Sequence, residues 1–487
     1  MGDYAITVKV GSLSARPFHG FIGLRGESGK PMPTYYIDPE NGNDHHQGLS
    51  PDQAWKTQGE RKGVPGDTIL FKRGSVIRGM LQTHCGEEGA PITYGAWGEG
   101  AKPVFMGSAE AGDPKGWTEE KPALWRFAGR FESEVCNLIF DGGASCGNLR
   151  WSLADLKHPG EWHYTGFGEN TRKERGQKAE GGPGVLYVFS EKNPGLAWSS
   201  IECALWGRRK LVGGQHHVIL ENLAFRNAGV HGYAETHAHH VSIRDCDFRF
   251  IGGAVWSLER RIRFGNAVEF WDGAHEMTVE RCLFDNIYDS GVTHQGGRTV
   301  NIPHHLYFRD NLFIDCGMAA YENREPSEEV YFENNTSIRA GGGFSMQGEM
   351  PPRQSEIHPD PMGHHVFTWR IDRGTQPGAV YMRRNIFYEA PYGGAQFSII
   401  HPDDEKKFVI DENLYWQSTG TLLHRFGGRD FSPADFGLYQ KSCGQDARSR
   451  FERPRFVDEA RGDFRLAPGS PGEGWGCRHL GPIPLNS

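Results

Sequence analysis

Apolar and polar positions follow a short repeating phrase along much of the chain. An apolar residue is followed by two residues, then Asn or Cys, then one residue more and usually an aromatic. The phrase occurs at Ile219…Asn222, Ile243…Cys246, Val279…Cys282, Phe308…Asn311, Phe332…Asn335, Met382…Asn385 and Ile410…Asn413, with aromatics at Phe248, Phe284, Phe313, Phe387 and Tyr415. The shortest interval between Asn/Cys positions is 24 residues, about the length of three short strands with tight turns. The 36 residues from Cys246 to Cys282 leave room for an insertion near 254–264, and the 50 from Asn335 to Asn385 for a degenerate coil or a long loop. Such a period predicts a solenoid, because each coil can bury its apolar face only against the coils above and below. Asn at a sharp bend can satisfy backbone groups and bond the Asn of the next coil. Asn222, Cys246, Cys282, Asn311, Asn335, Asn385 and Asn413 are therefore expected in one vertical stack, the two cysteines as small buried residues.

Further segments carry a resemblance. The run from Tyr35-Tyr36-Ile37-Asp38 through Asn41-Gly42-Asn43-Asp44 and Gly48-Leu49-Ser50-Pro51 to Ala54-Trp55-Lys56-Thr57 resembles the opening of many bacterial right-handed β-helix repeat proteins. So do Pro65-Gly66-Asp67-Thr68-Ile69-Leu70-Phe71 and the closing Asp463-Phe464-Arg465-Leu466-Ala467-Pro468-Gly469-Ser470-Pro471. The likeness to the pectate-lyase-like superfamily implies an all-β, right-handed parallel β-helix and carbohydrate chemistry. That superfamily holds lyases, glycosidases, epimerases and binding proteins, so the fold does not choose a reaction. Residues 1–33 read as an N-terminal extension and 34–487 as one β-helix domain. Within it, 34–141 are expected to give the first coils, including Val135–Phe140, with a lateral insertion over 142–212 and C-terminal closure over 431–487.

In β-helix enzymes the working cleft lies on one parallel sheet. The candidate rungs here are Val230-His231-Gly232-Tyr233, Val268-Glu269-Phe270-Trp271, Val292-Thr293-His294-Gln295, Tyr321-Glu322-Asn323-Arg324 and Phe344-Ser345-Met346-Gln347. Aligning Cys282 with Asn311 matches Thr293 to Glu322, and aligning Val268 with Val292 adds Glu269 to the same column. Glu269, Asp289 and Glu322 are thus the candidate catalytic carboxylates, since glycosidases need one acid and one base or nucleophile. His231, Trp271, Asp272, Tyr288, His294, Gln295, Tyr321 and Arg324 are the candidate substrate-binding residues, the aromatics offering flat faces for sugar rings.

Charge and composition narrow the partners. A net charge of −8 and a pI of about 6.3 advertise no nucleic-acid surface, and no apolar run is long enough to span a bilayer. No signal peptide is evident. The 9 cysteines form no CxxC pair, which excludes a zinc ribbon or a disulfide framework and suits a reducing, cytoplasmic setting. His237-Ala238-His239-His240 is the densest histidine group, but spacing fixes no third ligand, so no metal and no cofactor are expected and calcium is not indicated. From Gly213 to Ile400 there is no lysine, the nearest being Lys210 and Lys406. Resembling lyases use Lys as the base, so the reading favours a glycoside hydrolase acting on a carbohydrate. A polysaccharide lyase is the alternative, and a non-catalytic glycan-binding solenoid the second alternative. The sequence leaves the oligomeric state open.

Overall fold

A computed structural model describes residues 32–483 except 132, 169–181, 208, 260, 297–300, 325, 343–362, 369–378, 392–395, 400–403 and 419–422. Three long parallel sheets dominate it, and from Lys210 onward successive strands visit them in turn, so the backbone winds as a parallel β-helix. The first sheet runs from Thr34–Ile37 to Phe408–Asp411, the second from Val76–Arg78 to Arg450–Phe451. The third is formed by Lys210–Val212, His231–Thr236, Val268–Trp271, Ser290–Gln295, Ala319–Asn323, His364–Thr368, Phe397–Ile399 and His424–Phe426, closed by antiparallel Arg429–Phe431. This is the fold class the repeat predicts. Alternate residues of each strand point inward, and equivalent positions stack from coil to coil. On the second sheet Phe105, Phe225, Phe248, Phe284 and Phe313 form a continuous ring stack, with centroids 5.8, 5.1, 5.3 and 4.7 Å apart.

The bend between first and second sheets holds the expected ladder. Asn311, Asn335, Asn385 and Asn413 each accept, through Oδ1, the backbone N–H of the ladder residue before them, at 2.9–3.0 Å. Each Nδ2 donates to a carbonyl further back, from Val279, Phe308, Phe332 and Met382 respectively. Cys246 and Cys282 continue the column, their thiols approaching the carbonyls of Leu220 and Ile243. Asn222 does not belong to it. Strand register pairs Leu220, not Ile219, with Ile243, so the ladder position falls on Leu223. Asn222 instead opens a column of left-handed bend residues with Asp245, Arg281, Asp310, Asn334, Arg384 and Glu412, all with φ between 52 and 58°. This conformation is unfavourable for side chains with a Cβ. It recurs because each bend N–H from Asn222 to Asn334 donates to a carbonyl of the next coil.

The lateral excursion starts earlier than 142. After Val104–Met106 the chain leaves the coil, and it rejoins the third sheet at Lys210–Val212. Val135–Phe140 is no coil strand. It lies in an antiparallel sheet against Ile201–Leu205 and Ser145–Cys146. All six of its residues are buried, because Leu138 and Phe140 face the excursion's own core while Ile139 packs with Phe250 and Tyr288 of the solenoid. Polar contacts complete the joint: Arg263 Nη2 donates to Cys136 O at 2.6 Å and to Asn137 Oδ1 at 2.5 Å, and Asn137 Nδ2 donates to Gly252 O at 2.6 Å.

At the far end the helix Phe436–Cys443 lays Phe436 and Tyr439 against His424 of the last coil. The tail then runs back along the second sheet, where Phe464, Cys477 and Ile483 cover outward Leu283, Leu312, Ile314 and Leu414. Residues 1–31 of the N-terminal extension and the candidate rung Phe344–Gln347 lie outside the described residues. The described strand that follows Ala319–Asn323 on the third sheet is His364–Thr368.

Candidate active site

The third sheet brings the candidate rungs into one register. Ala234 pairs with Glu269, Glu269 with Thr293, Thr293 with Glu322 and Glu322 with Phe367. Val268, Phe270, Val292 and Tyr321 alternate with this column and belong to the solenoid core, so the carboxylates are on the sheet's outward face. Outward carboxylates of a solenoid are ordinarily solvated, yet Glu269 and Glu322 are 1% and 0% exposed.

Their partners explain how the charge is held. His231 Nδ1 is 2.9 Å from Glu269 Oε2, and Asn266 Nδ2 donates to the same oxygen at 3.2 Å. Burial alone would raise the Glu269 carboxyl. His231, Asn266 and the Arg324 charge outweigh it and hold the group below its ordinary value. Glu322 accepts from Ser290 Oγ at 3.2 Å, and its Oε1 is 3.8 Å from Arg324 Nη1. Arg324, 44% exposed, is therefore a solvent-facing cation acting on both carboxylates. Asn266 also fixes the turn, its Oδ1 accepting Ser290 N–H at 3.0 Å. Asn266 and Ser290 were not singled out in the sequence. Each lies three residues before a member of the Glu269–Thr293 column, and that offset is the signal that could have found them.

The remaining candidates divide. Trp271, 39% exposed, and Gln295, buried beside it in the next rung, share the outward face with the carboxylates. Asp272 is in the turn after Trp271 with φ 41°, its N–H donating to Gln295 O. Asp289 stands before its rung and accepts Gly265 N–H through Oδ2 at 2.9 Å, next to the Ser290 that serves Glu322. His294 and Tyr321 do not face a cleft. Both are wholly buried, His294 Nε2 is 3.0 Å from Tyr321 OH, and Tyr321 stacks on Phe332 across the interior. They sit one residue out of phase with the carboxylate column, and strand alternation sends them inward. Burial lowers His294 to about 3, so it is neutral. Tyr288 is likewise no open platform. It is buried against the excursion with Arg263 4.7 Å above its ring.

The excursion adds one titratable group that the repeat could not reveal. Glu134 is fully buried and accepts N–H bonds from Val255 at Oε1 and Gly168 at Oε2, both 2.9 Å. Burial pushes it up to about 7. Both oxygens are engaged, so it reads as a docking group for the Ala254–Ser257 strand. That strand and Ile262–Phe264 form a hairpin whose Phe264 contacts His231 at 5.8 Å and Trp256 at 5.3 Å. Trp256 is 37% exposed. Trp256 is thus a second accessible indole, on the hairpin that reaches His231 through Phe264.

Comparison with known proteins gives likeness of shape only. No family model matches the chain, and no curated protein matches it. Among solved structures, the GH136 lacto-N-biosidase from Eubacterium ramulus is 13% identical with a TM-score of 0.42, covering 79% of this chain and 64% of that one. The chain therefore spans less than two thirds of the lacto-N-biosidase. Pectate lyase Pel9A is 12% identical with a TM-score of 0.48, covering 91% of each chain. A structure described as a glycoside hydrolase is 12% identical with a TM-score of 0.45, covering 80% of this chain and 94% of that one. By their descriptions these neighbours are carbohydrate-active and include both hydrolase and lyase.

Proposed function

We propose that the chain is a carbohydrate-active enzyme, and specifically a glycoside hydrolase working at Glu269 and Glu322. The observation that carries the reading is two buried carboxylates in one outward column. The fold does not require them there, since the same column also accommodates Ala234, Thr293, Phe367 and Ser398. Removing carboxylates from water costs several kcal/mol each unless they are paired and hydrogen-bonded, so a scaffold position free to be Thr or Ser gains nothing structural from Glu.

The chemistry follows from the surroundings. Glu269, held ionised by His231 and Asn266, is the base that takes a proton from attacking water. Glu322 is the acid that protonates the glycosidic oxygen, and Arg324 steadies the negative charge that remains between them. Trp271 and Trp256 offer exposed aromatic faces to sugar rings. Two rungs at about 4.8 Å give roughly 9.6 Å between equivalent backbone positions. Carboxyl separations of about 6.5–9.5 Å suit inversion of the anomeric centre. Asp289, beside Ser290, is the third carboxylate of the site.

A polysaccharide lyase is the second reading. Arg324, exposed and cationic, suits neutralisation of a uronate carboxylate. Against it stand the absence of lysine from 213 to 400 and the inward direction of His294 and Tyr321, which leaves neither as a base over the substrate. The deciding experiment is a panel of polysaccharides and aryl glycosides read for both new reducing ends and unsaturated product. Reducing ends without unsaturation support hydrolysis, unsaturated uronide establishes the lyase, and binding without turnover leaves a glycan-binding solenoid.

A further inference from the structure

The first sheet carries a double column of imidazoles that the carboxylate chemistry does not use. Its register aligns His216, His239, His275 and His304, and then Glu328. The rings stack with centroids 5.2, 5.1 and 4.9 Å apart and planes within 20° of parallel. A second column follows one residue later: His217, His240, Glu276, His305 and Glu329. All five have φ between 51 and 53°. Ordinary strand alternation would send one residue of each pair inward. The left-handed residue resets that phase, so the next residue, such as Val218 or Val241, is the one that enters the core. Both columns therefore stay outside.

Three of these side chains converge. The ligand atoms of His217, His239 and His240 lie within 4.8 Å of one another. His239 Nδ1 and His240 Nδ1 are already 3.1 Å apart, close to the spacing of about 3.3 Å between nitrogens sharing a tetrahedral zinc at about 2.0–2.1 Å. His217 and His240 face each other in adjacent coils, with centroids 4.9 Å apart. His239 is clamped between the rings of His216 and His275. Those two direct Nδ1 at the carbonyls of Gly86 and Gly273, which fixes their own orientation and hence that of the ring between them. His240 is exposed and His217 half-buried, so an ion can reach the group and a small torsional adjustment can close it.

We propose that His217, His239 and His240 bind one divalent transition-metal ion of the zinc class, bracing two successive coils on the first sheet, away from the carboxylate pair of the third. Three imidazoles with no thiolate or carboxylate suit zinc, nickel or copper rather than calcium or magnesium. The fourth coordination position is left for water. The densest histidine run in the sequence lacked a third ligand, and the neighbouring coil supplies it.

The test uses the untagged full chain, stripped with a chelator and titrated with zinc chloride. Saturable binding of one zinc per chain is expected. Cobalt(II) should give the visible absorption of a tetrahedral nitrogen site. H240A, at an exposed position, should weaken zinc by roughly tenfold or more while the far-ultraviolet dichroism is unchanged, and H217A should do the same. H305A, one coil beyond His275 and touching none of the three, should leave the affinity nearly as it was. Absence of saturable binding, unchanged affinity in H240A, or an equal loss in H305A overturns the assignment.

Discussion

Glu269 and Glu322 stand two rungs apart in one column of the third sheet, with Thr293 between them and Arg324 acting on both. If they are the acid–base pair, E269Q and E322Q should each lower kcat by about a hundredfold or more, with urea midpoints close to wild type because the amides keep the shape of the carboxylates. Anomeric configuration read early in the reaction should show inversion. Retention would require a nucleophile at about 5 Å from its partner and would bring Asp289 forward. Wild-type turnover in either variant removes that residue from the mechanism.

Trp271 and Tyr321 are both aromatic and near the pair, but they should behave oppositely. W271A removes an exposed outward ring, so KM should rise severalfold with little change in folding. Y321F removes a buried hydroxyl that meets His294 at 3.0 Å. It should cost about 1 kcal/mol of stability and leave KM unchanged. A rise in KM for Y321F would show that the interior position feeds the cleft, which strand alternation forbids.

The repeat made the coil, the ladder and the carboxylate column legible, because all three depend on one periodicity. Phase within the column was harder to read. Tyr321 and Glu322 are adjacent, and nothing local in the sequence says which of the two is outward. The bends at Cys282 and Asn311 match Thr293 to Glu322, and the alignment of Val268 with Val292 adds Glu269, whereas only nearness in sequence ties the aromatics to the column. The first coil of the regular run misled for a related reason: Ile219 and Leu220 are both apolar, so the phrase could be anchored one residue early, and Asn222 took the place that belongs to Leu223. The excursion was legible only by its composition. Val135–Phe140 has the look of a coil strand, and only its pairing with Ile201–Leu205 reveals the antiparallel packing. The histidine trio is beyond local reading altogether, since its members come from two coils.

The ladder predicts graded losses at Asn385. This side chain accepts Asn335 N–H and donates to Phe332 O. N385A strands both groups in the interior, and each costs about 1–3 kcal/mol when unmet. N385C should lose less, because a thiol can approach the carbonyl as those of Cys246 and Cys282 do, though it accepts only weakly. Urea midpoints falling in the order wild type, N385C, N385A would match. Equal midpoints for wild type and N385A would mean that the column contributes no stability.

His424 provides the pH test. It is wholly buried in the last coil, among the rings of Phe397, Tyr415 and Tyr439. Burial lowers it from 6.5 to about 3. The folded chain therefore refuses a proton that the unfolded chain accepts below about pH 6.5, so this residue subtracts stability as pH falls, by up to about 1.4 kcal/mol per unit, until the folded value is reached. Glu134 and Asp446 are raised, to about 7 and about 6, and act in the opposite direction. The wild-type curve alone thus mixes signs, and a variant is needed to isolate the histidine. H424F keeps an aromatic ring and removes the titration. Whatever its stability at pH 8, H424F should gain on wild type by about 2 kcal/mol on going to pH 5, read as a widening gap between urea midpoints. A gap that stays constant between the two pH values would show that His424 is protonated inside the coil, and that burial there does not set its charge.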